Sequence, residues 1–283
     1  MAMLPRSERL AMRTRVNRLK SDTSAPRTET AAVEYTSSLV TFFDILGFRN
    51  RVMTHPAAEM HEILHVLQES ANVDRSQPTD PRMVAFSDNI VRAVPIPDAE
   101  TLPANTLLGE LIDVLYAQLT LALMGVFVRG GMSVGGLYVD EAKIFGPGLV
   151  RSYDLETNFA TYPRVVLDPD LIGRVAASDV AEGTRISVDQ LTVRGDDGVF
   201  FGDYLNLLAV AFEPDEMHAK IVEHKAAIIS NVESLPAGSF SRAKLMFTWL
   251  ARYHNAFCGR VGHDGEGVLY FEDLGLSDWP FPP

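Results

Sequence analysis

Ser37-Ser38-Leu39-Val40-Thr41-Phe42-Phe43-Asp44-Ile45-Leu46-Gly47-Phe48 is the stretch on which the rest of the chain is read. Leu39, Val40, Phe42, Phe43 and Ile45 form a nearly continuous apolar run, the pattern of a buried strand, and the run stops at Gly47. Asp44 lies inside it, and a carboxylate in an apolar strand is costly unless it is paired or binds a metal ion. A strand end that leads through Gly47 into a helix points free N–H groups outward, the arrangement on which phosphates dock.

Reading outward, Pro56 to Asn72 predicts a helix with Met60, Ile63, Leu64 and Leu67 on one face, followed by a polar loop over 73–82. Met83–Phe86 and Ile90–Ile96 flank Ser87-Asp88-Asn89, three turn residues, which predicts a hairpin with Asp88 at or near its tip. Thr106–Met124 repeats leucine and isoleucine at helical spacing, and Val126–Tyr138 reads as a glycine-containing strand. The order β-α-β-β-α-β within 37–137 is that of a ferredoxin-like unit, so the expected class is α+β (α/β in looser usage).

Further on, Gly146-Pro147-Gly148 opens a helix through about Phe159, Arg164–Leu167 is a strand, and Gly195-Asp196-Asp197 joins a second hairpin. Two helices, Pro214–Ser234 and Ser241–Phe257, close the pattern. The expected division is a disordered basic tail over 1–32, a catalytic domain over 33–212 and a C-terminal helical extension over 213–283. On those last helices His218 and His224 read as solvated, and Trp249, Tyr253 and Phe257 as packing.

The composition, 47% hydrophobic and 22% charged over 283 residues, is that of a globular chain with a full core. The net charge of −12 argues against a nucleic-acid partner. Residues 1–30 hold seven Lys/Arg against three Asp/Glu, which leaves 18 basic and 34 acidic groups for the remainder. Such a body meets an anionic phosphate through bridging metal ions. Leu119–Val128 is the longest apolar stretch and is too short to span a bilayer, so no membrane is expected. Cys258 is the single cysteine, which excludes an intramolecular disulfide and fits a cytoplasmic location.

Asp44 and Asp88 fall at strand ends that a ferredoxin-like sheet brings next to each other, and two carboxylates there form a hard oxygen site for Mg²⁺ or Mn²⁺. Arg129, Lys143 and Arg151 are the candidate cations for charge developing on a phosphate. Alone, Asp44 also reads as a helix cap and Asp88 as a turn residue.

Phe43-Asp44-Ile45-Leu46-Gly47-Phe48 resembles the first metal motif of class III nucleotidyl cyclases. Phe86-Ser87-Asp88 resembles their second, with Ser87 where glycine is usual. Arg129-Gly130-Gly131-Met132-Ser133-Val134-Gly135 is similar to the family's next strand, and Ile144-Phe145-Gly146 with the helix ending Leu155-Glu156 to the block after it. The resemblance covers about residues 37–167. It implies a nucleoside triphosphate substrate, two Mn²⁺ or Mg²⁺ ions held by Asp44, Asp88 and the main-chain carbonyl of Ile45, and substrate contacts from Leu46, Gly47, Phe48, Ser87 and Lys143. Arg129 and Arg151 then serve as catalytic cations, and the sites are shared across a homodimer.

The pair by which purine cyclases select the base falls here at Val84 and Lys143, and their transition-state Asn and Arg at Val150 and Asp154. In Phe86-Ser87-Asp88, Arg129-Gly130-Gly131 and Tyr153-Asp154-Leu155-Glu156 the chain most resembles the pyrimidine cyclases of bacterial Pycsar antiphage systems. That resemblance implies cyclic UMP, or cyclic CMP, made for a separate effector.

Two other readings stand beside it. One is a catalytically dead cyclase-like binding module. The other is a zinc protease, because His61-Glu62-Ile63-Leu64-His65 matches H-E-x-x-H, though no further His follows at metzincin spacing.

Overall fold

The structure is a computed structural model and describes residues 33–70, 82–98, 100–140, 143–175, 187–235, 242–263, 265, 267 and 268. The chain divides after Glu34 into two units. Of the first, only Val33 and Glu34 are described, both exposed, and the expected basic tail lies outside the described residues. All that follows concerns the second unit.

Its elements in chain order are β1 (Thr36–Ile45), α1 (Phe48–Thr54), α2 (Ala57–Ser70), β2 (Arg82–Phe86), β3 (Asn89–Pro95), α3 (Ala104–Leu123), β4 (Val128–Val139), β5 (Ile144–Phe145), α4 (Pro147–Phe159), β6 (Val165–Leu167) and α5 (Pro169–Arg174). A 3₁₀ turn, β7 (Thr192–Arg194), β8 (Phe200–Gly202), α6 (Asn206–Ala211), α7 (Pro214–Glu233) and α8 (Arg242–Arg260) complete it. The protein is α+β, as the sequence predicts. The sheet runs β2-β3-β1-β4-β6-β8-β7, with β5 attached to β4. Its first four strands are antiparallel in the ferredoxin-like order.

The two faces of β1 explain its continuous apolar run. Leu39, Phe43 and Ile45 join the main core with Leu107, Leu111 and Leu115 of α3. Val40 and Phe42 point the other way, with Val91, Ala93 and Leu137, toward α4. Helix α3 is long and apolar enough to cross a membrane by length and composition alone, but it is mostly buried inside the fold. The charges it carries inward are paired: Glu110 accepts from Thr41 at 3.0 Å and from Arg92 Nε at 2.6 Å.

Helix α4 lies close against the glycines of β4. A Cβ on Gly131 would meet the carbonyl oxygen of Ser152 and come within 2.7 Å of Leu155 Cβ, and one on Gly135 would come within 2.8 Å of Gly148. The serine hydroxyls at this seam bond to each other at 2.9 Å, and both contact the carbonyl of Gly148.

Helices α7 and α8 share the main core: Ile221, Ile228, Leu250 and Phe257 belong to the same buried cluster as Phe43 and Val128. His224 is fully buried, which corrects its reading as solvated. The charged pattern of α7 hides it because one of its faces still packs inward. His224 sits in a polar chain with Tyr204 O–H at 2.8 Å from its Nε2, and its Nδ1 lies 2.8 Å from His254 Nδ1. His254 Nε2 is 2.7 Å from the carbonyl oxygen of Gly267. A carbonyl only accepts, so His254 Nε2 carries the proton and its Nδ1 accepts from His224 Nδ1–H. Nε2 of His224 therefore accepts from Tyr204. Every polar atom of the chain is satisfied with both imidazoles neutral. Trp249 and Tyr253 pack as expected, stacked at 5.3 Å.

Candidate active site

The site lies where β1 and the β2–β3 hairpin end beside the start of β4. Antiparallel register places Asp44 opposite Asn89 on one side and Arg129 on the other. The hairpin tip is joined to the same strand end, because Ile45 N–H donates to the carbonyl of Asp88 at 3.3 Å. Leu46 N–H donates to the carbonyl of Phe127 at 2.9 Å, and Gly47 (φ 71°) then turns the chain into α1.

Only Ser87 and Asp88 separate β2 from β3. Ser87 takes φ 60° and is the sole non-glycine residue with positive φ among those described. Positive φ at the first central position alone is the pattern of a type II′ turn, which favours glycine there. Asp88 follows it, and Asn89 Nδ2 donates to Asp88 Oδ1 at 3.1 Å.

Arg129 binds two carboxylates. Its Nε donates to Asp44 Oδ2 at 2.9 Å, and Nη2 lies 2.9 Å from the same oxygen. Nε is also 2.6 Å from Glu156 Oε1, although its N–H points to Asp44, so Glu156 Oε1 is left without a hydrogen bond of its own. Glu156 is buried on α4, and Thr157 Oγ1 donates to its Oε2 at 3.0 Å. Two carboxylates thus share one guanidinium, and the charge of Asp88 acts on the first of them, Asp44.

Burial raises the Asp44 carboxyl above its usual range. The Arg129 hydrogen bond and charge oppose the rise, and the charge of Asp88 adds to it. Burial likewise raises Glu156, opposed by Arg129 and the Thr157 hydroxyl and reinforced by Asp44.

The other expected residues do not meet here within one chain. Arg151 is held by Asp168 through bonds of 2.6 and 3.2 Å. Asp168 N–H in turn bonds to the carbonyl of Met132, about 10 Å along β4 from Arg129 at the usual strand rise. Lys143 is exposed and paired with Asp140 at 3.4 Å. It lies by β5, whose Phe145 is opposite Tyr138, about 30 Å along β4 from Arg129. Val84 is half-buried on β2, while Val150 and Asp154 are exposed on α4.

His61 and His65 are exposed on α2 with rings stacked at 6.0 Å. Among the described residues no group of three His, Cys, Asp or Glu side chains is placed to hold a metal ion, so the H-E-x-x-H helix has no third ligand there.

Glu156 is the residue that the sequence reading passed over. Its signal is local: it shares the buried side of α4 with Gly148, Ser152 and Leu155, where an apolar residue is expected.

No family model matches the chain, and no curated protein does. Solved structures do align with it. A dimeric guanylyl cyclase domain from the aquatic fungus Blastocladiella emersonii aligns at 13% identity, covering 50% of this chain and 85% of that one, with a TM-score of 0.34. The guanylate cyclase domain of Catenaria anguillulae in complex with GTP aligns at 14%, covering 48% and 80%, with a TM-score of 0.31. A bacterial light-regulated adenylyl cyclase aligns at 12%, covering 75% and 66%, with a TM-score of 0.36. At such identities and TM-scores these likenesses carry no argument about chemistry, which has to come from the side chains.

Proposed function

We propose that the chain is a metal-dependent nucleotide cyclase that closes the ribose 3′-oxygen of a nucleoside triphosphate onto its α-phosphorus and releases pyrophosphate, with UTP preferred over CTP and both over purines. The observation that carries it is the junction of Asp44, Asp88 and Arg129 at neighbouring strand ends of the β2-β3-β1-β4 sheet. Oxygen donors alone suit Mg²⁺ or Mn²⁺. Asp44, Asp88 and the main-chain carbonyl of Ile45 are the groups that would hold two such ions. When bound, the ions make the 3′-hydroxyl more acidic and gather the triphosphate.

The remaining work falls to the chain itself. Arg129 offsets negative charge that grows on the phosphates as the 3′-oxygen bond to phosphorus forms and the bond to pyrophosphate breaks. Leu46, Gly47 and Phe48 on the turn after β1 and Ser87 on the β2–β3 turn fix the triphosphate's approach. Arg151 is tied to Asp168 and enters only if substrate or a second copy draws it away.

Pyrimidine choice is supported by Val84 and Lys143 standing where purine cyclases carry their base-reading pair. Lys143 is a donor only, suited to a pyrimidine O2 or O4. Its distance from Asp44 of the same chain means that it reaches a base only in the site of a second copy. The exposed apolar residues Val150, Tyr153 and Phe159 on α4 and Phe145 on β5 give such a copy a surface to cover. Homodimeric sites, from the class III resemblance, a cytoplasmic location, from the single cysteine, and a separate cyclic-nucleotide-activated effector in antiphage defence, from the Pycsar resemblance, complete the reading.

The test is incubation of the full chain with each of the four nucleoside triphosphates and Mn²⁺, followed by chromatography. Cyclic UMP or cyclic CMP should dominate and should vanish on chelation or in Asp44→Asn. Full activity in Asp44→Asn defeats the mechanism. Faster cyclic AMP or cyclic GMP formation defeats the base assignment. No product from any nucleotide favours the dead binding module, for which Val150 and Asp154 at the transition-state positions speak.

A further inference from the structure

We infer that Glu156 is a positioning residue: it anchors Arg129 at the head of β4, so that Asp44 can pass from the guanidinium to a divalent ion without stranding a half-buried cation. The inference rests on the metal reading of Asp44 proposed above.

In the structure one guanidinium serves two carboxylates. Arg129 approaches Asp44 Oδ2 at 2.9 Å and Glu156 Oε1 at 2.6 Å. Side-chain exposure is 21% for Arg129 and 19% for Asp44, but 3% for Glu156. The two acids are therefore unequal partners. Asp44 is at the rim, beside the hairpin that carries Asp88, and can turn to another cation. Glu156 sits under the helix, and its Oε1 has no hydrogen bond of its own. A carboxylate buried that deeply does not readily give up the cation in contact with it, because an unpaired buried charge is far costlier than a paired one.

A metal ion that takes Asp44 Oδ2 must displace Arg129 from that oxygen, since both guanidinium contacts fall on it. With Glu156 in place the guanidinium keeps a partner and stays at the mouth of the site, where a phosphate is the next anion it meets. With Glu156 neutral, Asp44 is the one charged partner left against Arg129 among the described residues, and Arg129 competes with the metal at full strength.

A double-mutant cycle on the full chain reads this without turnover. Mn²⁺ affinity is measured by electron paramagnetic resonance in the absence of nucleotide for wild type, Glu156→Gln, Arg129→Gln and the double variant, with a thermal melt on each. The expected results are about tenfold weaker Mn²⁺ binding in Glu156→Gln, the order of one close charge pair, and tighter binding in Arg129→Gln. In the Arg129→Gln background the Glu156 change should then have less than about a twofold effect. An equal loss in both backgrounds means that Glu156 acts on the ion by its own charge, and overturns the proposal. Unchanged affinity in Glu156→Gln overturns it as well. If Arg129→Gln does not fold, Arg129→Lys replaces it, since a single ammonium cannot span both acids, and the same two outcomes decide. Asp44→Asn is the control: if it leaves Mn²⁺ binding intact, or if wild type binds none, the metal reading itself fails and takes this inference with it.

Discussion

Replacing His254 by glutamine should flatten the acid side of the stability curve. Burial is the main force that lowers the His254 imidazole to about 4 from 6.5, with the charges of Lys225 and His263 adding to it and the Gly267 carbonyl opposing it. As pH falls below 6.5 the unfolded chain takes up a proton that the folded chain refuses, so stability is lost from there down to about 4, where both states are protonated. Between about pH 7 and pH 5 the linkage relation with these values gives a loss of about 2 kcal/mol from His254. His224, lowered in the same direction by burial and by His254, deepens it. The raised carboxyls of Asp44, Glu110, Asp113 and Glu156 act with the opposite sign, but they are common to both proteins and cancel in the comparison. Glutamine keeps a donor for the Gly267 carbonyl and cannot be protonated. Urea unfolding of both proteins, followed by circular dichroism at several pH values, measures the difference. The wild-type curve should fall more steeply by about 2 kcal/mol over that interval. Parallel curves would show that the buried imidazole does not exclude the proton, and would refute the tautomer chain.

Two further substitutions test the backbone of the site. Ser87→Gly should stabilise the protein by about 0.5–1 kcal/mol, the left-handed penalty less the added freedom of the unfolded chain, and raise Tm by about 1–3 °C in a thermal scan. Gly131→Ala should destabilise by about 1–3 kcal/mol and lower Mn²⁺-dependent turnover, because the methyl group pushes α4, and Glu156 with it, away from β4.

Asp44 was legible because a single charge in an apolar strand has few explanations, and Asp88 because Ser-Asp-Asn between two apolar runs is turn chemistry. The order of elements to Tyr138 was legible for the same periodic reasons. Glu156 was not, since its meaning depends on how closely α4 approaches β4, and that closeness is set by glycines that in sequence read as bends in a strand. The Arg151–Asp168 pair joins a helix to the end of a parallel strand, a contact that no local pattern records. That the strand end leads through Gly47 into a helix was legible, but the extent of α1 was not, because Phe48–Thr54 has no apolar stripe and none of its residues is buried. The last helices read as an appendage because charge dominates their surface, whereas their packing into the shared core rests on a few residues, His224 among them.

The seam between α4 and β4 also bears on how such a chain ages under mutation. Arg129-Gly130-Gly131-Met132-Ser133-Val134-Gly135 carries two unrelated constraints. Arg129 answers to the carboxylates of Asp44 and Glu156. Gly131 and Gly135 answer only to the helix backbone lying on them. A lineage that stopped turning over substrate would be free to lose Arg129, Asp88 and Glu156, yet drift could not place a side chain at 131 or 135 without lifting the helix. Glycine in this string therefore marks descent of the architecture, and only the acids and the arginine beside it can mark a living enzyme.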